Sequence, residues 1–143
     1  MAKLQEITPE DLDKIRKPAA AGLLVMTKNQ EFLLARRSPG SYFLAGHWSV
    51  PSGESNVNEL ESMEDCARRE FFEETQYTLS PQTKLLLVDR YYADERMYYL
   101  FICKVPEKFR IQIDFEHDKY GWFTKDRLPN PIAPQILDAI SRT

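Results

Sequence analysis

The chain has 143 residues, of which 43% are hydrophobic and 29% are charged, and its formal net charge is -3. This length suits one domain with one hydrophobic core, and the balanced charge argues against a protein that grips a nucleic-acid backbone through a basic face. The N-terminus is charged and lacks the apolar stretch of a signal peptide. No segment approaches the roughly 20 apolar residues that span a bilayer. These features predict a cytoplasmic protein with a single domain over residues 1–143 and no membrane partner.

The first predicted element is a short helix over residues 8–17, with Thr8 as its cap and Pro18 at its end. Apolar segments separated by turn residues then predict six strands. These strands are residues 20–27, 31–37, 47–50, 85–92, 97–105 and 119–123. The first two form a predicted hairpin, residues 51–53 are a predicted turn after the third, and residues 93–96 are the predicted turn of a second hairpin.

Two longer helices are predicted in the second part of the chain. Ser62, with Asp65 three residues later, has the capping pattern of a helix that runs to about Thr75. Residues 134–141 form the predicted C-terminal helix. Its expected buried side chains are Ile136, Leu137 and Ile140. Strands before and after a central helix, with another helix at the end, predict a mixed α/β sandwich.

The two cysteines argue against thiol chemistry. Cys66 and Cys103 lie in segments of predicted regular structure without a CxxC or CxxH spacing, so we expect buried, reduced thiols rather than a zinc site. Cys66 falls on the inward helix face, and no local motif ties it to a histidine, which disfavours a catalytic cysteine. A P-loop enzyme is excluded because the chain has no Gly-x4-Gly-Lys-Ser/Thr segment.

The chemically informative segment is the acidic end of the central helix. At about 100° per residue, Glu70 and Glu74 fall in the same sector as the apolar side chains, and Glu73 lies at its edge. Burial, like charges on neighbouring helix positions and the negative end of the helix dipole all disfavour these carboxylates. A divalent cation would reverse all three effects, and oxygen ligands suit Mg²⁺ or Mn²⁺. A solvated acidic face is the usual alternative, but it requires these residues to lie on the polar side.

The same segment resembles the Nudix box. That box has a glycine, five residues, a glutamate, seven residues, and then Arg-Glu-U-x-Glu-Glu-x-Gly-U, where U is a bulky apolar residue. Arg69 to Thr75 matches its core, and Glu61 lies eight residues before Arg69, as the box requires. Residues 48–53 and 116–123 resemble two other family segments. The resemblance implies a Nudix-like α/β/α sandwich with a mixed β-sheet.

Three positions depart from the box, whose loop and helix here cover residues 53–76. Seven residues rather than five separate Gly53 from Glu61, Leu60 stands where a glycine is common, and Gln76 replaces the final glycine. That glycine normally adopts a left-handed conformation, which costs another residue about 1 kcal/mol. We therefore expect the chain to leave the helix along another path.

The resemblance also implies residue roles. The implied metal ligands are Glu70, Glu73 and Glu74, with Glu61 and the Gly53 carbonyl as further candidates. Arg69 would orient an acidic neighbour through a charge-assisted hydrogen bond. Glu73, Glu116 and His117 are the candidates for the base that takes a proton from the attacking water. For Glu116 and His117, the alternative is a pair of surface loop residues.

Two groups of side chains are candidates for substrate contact. Arg36 and Arg37 follow a buried strand, and because they alternate faces, at most one should reach phosphate oxygens. Four tyrosines lie close together in the second hairpin, at positions Tyr91, Tyr92, Tyr98 and Tyr99. They could stack on a base, but aromatic residues are good strand formers, so ordinary packing is favoured.

The resemblance implies a metal-dependent pyrophosphohydrolase that cleaves the diphosphate bond of a nucleoside diphosphate linked to another group. Its cofactor would be Mg²⁺, with Mn²⁺ as a substitute. Nucleoside triphosphates, dinucleoside polyphosphates, nucleotide sugars and capped or triphosphorylated RNA ends stay open as substrates, and no other nucleic-acid partner is expected. The alternative is a Nudix-fold nucleotide-binding module with little or no turnover. The sequence leaves the oligomeric state open, a dimer included.

Overall fold

The computed structural model describes residues 19–56, 61–93 and 95–143, so the predicted helix over residues 8–17 and Leu60 lie outside it. The regular elements, in chain order, are β1 (Ala20–Thr27), β2 (Phe32–Arg37), β3 (Trp48–Ser49), β4 (Ser52–Glu54), α1 (Met63–Thr75), β5 (Leu86–Ala93), β6 (Arg96–Val105), β7 (His117–Phe123) and α2 (Pro134–Ser141). Within these ranges, no helix is both long enough and apolar enough to cross a membrane.

The strands form one mixed sheet around β1. The strand order is β3-β2-β1-β6-β5, and β4 and β7 pair additionally with β1 and β2. β1 and β6 run parallel from the pair Ala20 and Tyr98 to the pair Thr27 and Val105, whereas the other pairs are antiparallel. β1 is apolar and buried along most of its length, as expected for a strand with both faces covered.

The two helices cover opposite faces of this sheet. One core joins β1 to α1 through Ala21, Leu23, Val25, Cys66, Ala67 and Phe71. The other core joins the sheet to α2 through Leu24, Leu34, Leu100, Ile136, Ala139 and Ile140. The alternation of odd and even positions along β1 assigns its side chains to the two cores. This three-layer arrangement confirms the predicted α/β/α sandwich with a mixed sheet.

Both ends of α1 are set by identifiable hydrogen bonds. The Asp65 N–H donates to Ser62 Oγ at 3.0 Å, so Ser62 caps the helix as predicted. At the other end, Gln76 has φ 59° and ψ 17°, and its N–H donates to the Phe72 carbonyl at 2.8 Å. The expectation of another path was therefore wrong. Gln76 adopts the left-handed conformation because this conformation satisfies a carbonyl at the helix end.

Other differences from the predicted elements have local causes. Residues 51–53 were predicted to be a turn, but Ser52–Glu54 is a strand that pairs with β1. A three-residue strand is too short to show an alternating pattern. β7 begins at His117 rather than at residue 119. In α2, Leu137 is 44% exposed and Ala139 is buried, because the inward face follows a spacing of three and four residues.

Candidate active site

Arg69 donates hydrogen bonds to three carboxylates beside α1. Its Nε donates to Glu61 at 2.7 Å, and its Nη1 donates to Glu70 at 2.9 Å and to Glu73 at 3.2 Å. Its Nη2 also donates to the Glu54 carbonyl at 2.9 Å. The Arg69 hydrogen bond is the main reason why the pKa of Glu61 is lowered. The sequence predicted that Arg69 would orient an acidic neighbour, and the structure places three acidic side chains around it.

Gly53 lies directly against Glu70. A Cβ atom at Gly53 would lie 2.1 Å from Cδ of the Glu70 carboxyl group, so only glycine fits there without displacing it. The Gly53 carbonyl, a candidate metal ligand, accepts a hydrogen bond from Cys66 Sγ at 3.6 Å. Burial raises the pKa of Cys66 to about 12, which keeps the thiol protonated as a donor. The longer box loop thus leaves Gly53 packed against the acidic helix.

Glu74 is the most deeply buried carboxylate of the site. It is 4% exposed, and neither of its oxygens has a hydrogen-bond partner among the described residues. Burial, followed by the neighbouring carboxyls of Glu116, Glu70 and Asp114, raises its pKa to about 10. The pKa of Glu70 is also raised, first by burial and then by Glu73. The helix therefore presents buried, mutually repelling carboxyls, as its periodicity predicts.

His117 and Asp114 lie next to Glu74. One possible ligand atom from each of the three residues lies within 4.8 Å of the other two. His117 Nδ1 is 3.1 Å from Asp114 Oδ1, and His117 Nε2 has no partner within the described ranges. Because His117 is 4% exposed, the alternative of a surface loop residue is wrong for it. Asp114 was not predicted from the sequence, although it lies only three residues before His117.

A pocket of about 210 Å³ lies beside these carboxyls. Its lining includes Gly53 and Glu116 as well as Tyr91 and Tyr98. Gly53 abuts Glu70, and Glu116 neighbours Glu74. The pocket therefore adjoins the carboxyl groups of α1, and its lining contains aromatic side chains.

The two consecutive arginines have different surroundings. Arg37 lines the pocket, and its Nε donates to the Phe43 carbonyl at 2.7 Å. Arg36 binds Asp118 through two hydrogen bonds of 2.6 and 2.8 Å. A bulge between Arg36 and Arg37 accompanies this difference. Of the two candidates, Arg37 is therefore the one in reach of a ligand in the pocket.

The residues fit a hard divalent cation. Glu70, Glu73 and Glu74 offer carboxylate oxygens on neighbouring positions of α1, and the buried oxygens of Glu74 lack a hydrogen-bond partner in the described part of the chain. Among the described residues, however, the three ligand atoms found within 4.8 Å of one another come from Glu74, Asp114 and His117 rather than from Glu70 or Glu73. Carboxylate oxygens are the ligands that Mg²⁺ and Mn²⁺ prefer.

The chain is similar to known proteins of one family. The family model of the NUDIX domain matches residues 16–142, so the chain belongs to the Nudix family and is a Nudix-type hydrolase. No curated protein sequence matches the chain. Among solved structures, the chain is similar to a MutT protein from Methanosarcina mazei Go1, with a TM-score of 0.71, 25% identity and coverage of 89% of this chain and 94% of that one.

Two further structures share the fold at lower identity. One is a MutT NUDIX hydrolase from Burkholderia pseudomallei, with a TM-score of 0.71, 23% identity and coverage of 88% of this chain and 97% of that one. The other is an Ap4A hydrolase from C. elegans, with a TM-score of 0.69, 22% identity and coverage of 86% and 93%. Both cover nearly the whole Nudix region, so the sandwich described above is the fold of that family.

Proposed function

We propose that the protein is an Mg²⁺-dependent pyrophosphohydrolase that cleaves the diphosphate bond of a nucleoside diphosphate linked to another group, with Mn²⁺ as an alternative metal. The observation that carries this proposal is the buried carboxyl of Glu74, which has no hydrogen-bond partner among the described residues and is surrounded by other acids. A buried carboxyl of this kind needs a proton or a cation. A cation shared with Glu70 and Glu73 would meet that need.

The cation, Arg69 and Arg37 would have different roles in the reaction. A bound divalent cation would neutralise diphosphate charge and lower the pKa of a coordinated water. Arg69 fixes the orientation of Glu61, Glu70 and Glu73 through its hydrogen bonds. Arg37, which lines the pocket, is positioned for phosphate oxygens.

Glu116 is our choice for the general base. It lines the pocket and also neighbours Glu74, so it lies between the pocket and α1. Glu73 accepts hydrogen bonds from Arg69 and would also bind the cation, and His117 is almost fully buried beside Asp114. A general base must lie within hydrogen-bond reach of the proton that it takes, and among the three candidates Glu116 satisfies this best.

The substrate class is small phosphorylated compounds that carry a nucleoside. Nucleoside triphosphates, dinucleoside polyphosphates, nucleotide sugars and the capped or triphosphorylated end of an RNA all contain the required bond. The similar C. elegans protein is an Ap4A hydrolase, which supports the inclusion of dinucleoside polyphosphates. We further propose that residues 1–143 act as one domain in the cytoplasm, where thiols such as Cys66 and Cys103, both free, stay reduced.

The proposed function is tested by a substrate screen with purified protein in Mg²⁺ or Mn²⁺. The panel contains the nucleotide classes above, and the readout is released phosphate, pyrophosphate or nucleoside monophosphate. Glu73→Gln is run beside the parent protein, and Glu64→Gln, an exposed acid in the first turn of α1, is the matched control. We expect metal-dependent turnover of one class that Glu73→Gln nearly abolishes and Glu64→Gln retains.

Two results would count against the proposal. Turnover that survives in folded Glu73→Gln protein would point to a contaminating phosphatase or to a different metal site. If the folded parent protein releases no product from any compound of the panel, the result would instead favour a nucleotide-binding module with little or no turnover.

A further inference from the structure

A cluster of one imidazole and two carboxyl groups lies where the start of β7 meets the end of α1. One ligand atom from each of Glu74, Asp114 and His117 lies within 4.8 Å of the other two. Glu74 is in the last turn of α1, His117 is the first residue of β7, and Asp114 precedes that strand. Among the described residues, Glu70 and Glu73 do not belong to this cluster. The cluster therefore has a donor set of its own and shares only Glu74 with the acidic face of α1.

Two members of the cluster are buried without a hydrogen-bond partner for all of their polar atoms. Glu74 and His117 are each 4% exposed. Within the described ranges, both carboxyl oxygens of Glu74 and Nε2 of His117 have no partner. A buried polar atom without a partner is unfavourable, and a buried unpaired charge is more so. The oxygen that Glu74 contributes to the cluster is thus one that a cation would compensate.

The spacing within the cluster fits one metal ion. Asp114 Oδ1 lies 3.1 Å from His117 Nδ1. Bonds from Zn²⁺ to imidazole nitrogen and carboxylate oxygen are about 2.0–2.2 Å long, so two ligands of a tetrahedral ion lie roughly 3.4 Å apart. The backbone N–H of Glu116 donates to Asp114 Oδ1 at 3.2 Å, which holds this carboxyl beside the imidazole. The side chain of Asp114 is 23% exposed and that of His117 is 1% exposed, so an ion can enter from the Asp114 side.

The donor set of the cluster differs in kind from the carboxylate set of Glu70, Glu73 and Glu74. Mg²⁺ prefers oxygen ligands and usually keeps several waters. Imidazole nitrogen suits Zn²⁺, which binds to three histidine or carboxylate side chains with one water as the fourth ligand. The cluster offers one nitrogen and two carboxyl groups, and two of its three members are buried. It therefore fits Zn²⁺ better than Mg²⁺.

From these contacts we propose that Glu74, Asp114 and His117 form a second cation site, which takes Zn²⁺. Because Glu74 is also a ligand in the proposed Mg²⁺ site, Zn²⁺ at the cluster withdraws this carboxyl from the Mg²⁺ ligand set and inhibits hydrolysis. The inhibition rests on the proposed function, whereas the binding of Zn²⁺ does not.

Calorimetric titration of the metal-free protein with ZnCl₂ tests the binding. The protein is treated with EDTA and desalted, and no Mg²⁺ is present. His117→Leu and Asp114→Ala each remove one ligand of the cluster. His47→Leu is the matched control, because His47 is the other histidine of the chain and its Nδ1 lies 3.2 Å from the Ala45 carbonyl. Thermal unfolding of each variant shows whether it is folded.

We expect the parent protein and His47→Leu to bind Zn²⁺ with the same affinity. The dissociation constant of the tightest Zn²⁺ should rise at least about tenfold in His117→Leu and in Asp114→Ala, since loss of support for a metal ligand alone commonly costs 10–100-fold. If His117→Leu does not fold, Asp114→Ala, at the more exposed ligand, decides the result. Failure of the parent protein to bind Zn²⁺, or equal affinity in the folded variants, would overturn the proposal.

Hydrolysis in Mg²⁺ at increasing Zn²⁺ tests the inhibition, with the compound that the substrate screen identifies. Each protein is compared with its own rate in the absence of Zn²⁺. In the parent protein, Zn²⁺ should inhibit, and additional Mg²⁺ should restore the rate. His117→Leu should need at least about tenfold more Zn²⁺ for half inhibition, in proportion to its weaker binding. Zn²⁺ that binds through His117 and leaves hydrolysis unchanged would contradict the shared use of Glu74.

The two measurements separate this site from the proposed function. Zn²⁺ binding that depends on His117, without hydrolysis in any metal, supports the second cation site and contradicts the pyrophosphohydrolase. Hydrolysis together with Zn²⁺ binding that is unchanged in folded His117→Leu supports the enzyme and contradicts the second site. If the folded parent protein neither binds Zn²⁺ nor hydrolyses any compound, both are contradicted.

Discussion

At the scale of single residues, the site places the guanidinium group of Arg69 among several carboxyl groups. Arg69 donates hydrogen bonds to Glu61, Glu70 and Glu73, whereas Glu74 has none in the described part of the chain. The same helix thus contains acids whose charge is stabilised within the protein and one acid whose charge is not. This difference makes Glu74 the residue whose replacement is most informative.

Replacing Glu74 with glutamine should stabilise the metal-free protein and abolish turnover. The pKa of Glu74 is about 10 in the folded protein against an ordinary value of 4.5. Between these values the unfolded chain has lost a proton that the folded chain keeps, so folding becomes less favourable as pH rises, by up to about 1.4 kcal/mol per pH unit. Glutamine removes this dependence because it carries no charge in either state. We expect Glu74→Gln to raise the free energy of unfolding at pH 8 in EDTA by at least about 1 kcal/mol.

Urea unfolding at pH 5 and pH 8 measures this effect. At pH 5 the variant and the parent protein should differ little, because the penalty for the charged form is small there. Glu64→Gln serves as the control, since Glu64 is exposed in the first turn of the same helix. A Glu74→Gln protein that is less stable than the parent at pH 8 would show that Glu74 is well solvated or paired.

Replacing Gly53 with alanine should weaken metal binding without unfolding the protein. The new Cβ would lie 2.1 Å from the Glu70 carboxyl, so this side chain must move. Displacement of a ligand or its support commonly costs 10–100-fold in metal affinity or activity, roughly the loss expected here. Gly40→Ala is the matched control, because a Cβ at Gly40 meets no atom within 4 Å. Mn²⁺ affinity is the measurement, and equal affinity in the two variants would remove Gly53 from the site.

At the scale of secondary-structure elements, α1 is held in place by its ends as well as by its apolar face. Ser62 caps its start, and Gln76 ends it in the left-handed conformation that glycine occupies in the Nudix box. The side chain of Gln76 also donates to the Glu73 carbonyl at 3.2 Å. The helix end next to the acidic residues therefore contains a strained residue that contributes one compensating hydrogen bond.

Gln76→Gly should stabilise the protein by about 0.5–1 kcal/mol. Glycine removes the left-handed strain, although the unfolded chain gains entropy and the hydrogen bond to the Glu73 carbonyl is lost. Gln76→Ala loses the same hydrogen bond and keeps the strain, so it should be less stable than the parent. The midpoint of thermal unfolding compares the three proteins. If glycine and alanine have the same effect, strain at this position contributes nothing.

At the scale of the whole molecule, the acidic site should couple folding to metal and pH. The carboxyls of Glu70 and Glu74 both have raised pKa values because they are buried. Their repulsion opposes folding in the absence of a cation and is relieved when one binds. We therefore expect the free energy of unfolding to be lower without metal than with metal bound, even though both apolar cores stay intact.

Addition of Mg²⁺ should raise the melting temperature, and more so at pH 8 than at pH 5. A ligand at about 100 times its dissociation constant adds about 2.7 kcal/mol, which is roughly 8 °C for a chain of this size. Protons compete with the cation for the raised-pKa carboxyls, so the shift must shrink as pH falls. Thermal unfolding in EDTA and in Mg²⁺ at both pH values is the test, with Glu74→Gln as the unresponsive control. A shift that is equal at both pH values would place the metal elsewhere.

The sequence by itself determined most of the described elements and the face of α1 on which the acids lie. Apolar strand segments, the Ser62 cap and the helical periodicity of residues 63–74 are local properties of the chain, and they predicted strands, the start of α1 and its inward face. Local patterns are sufficient there because a helix periodicity fixes which side chains share a face. The same reasoning already indicated that two carboxyls point toward the core.

Only the tertiary structure decided which distant residues meet at the site. Asp114 and His117 reach Glu74 from a segment 40 residues away, and the short strand at Ser52–Glu54 exists because β1 offers it a partner. Tyr91 and Tyr98 line the pocket, whereas Tyr99 packs against the core under α1. Such contacts join positions that are far apart in the chain, and no local periodicity encodes them.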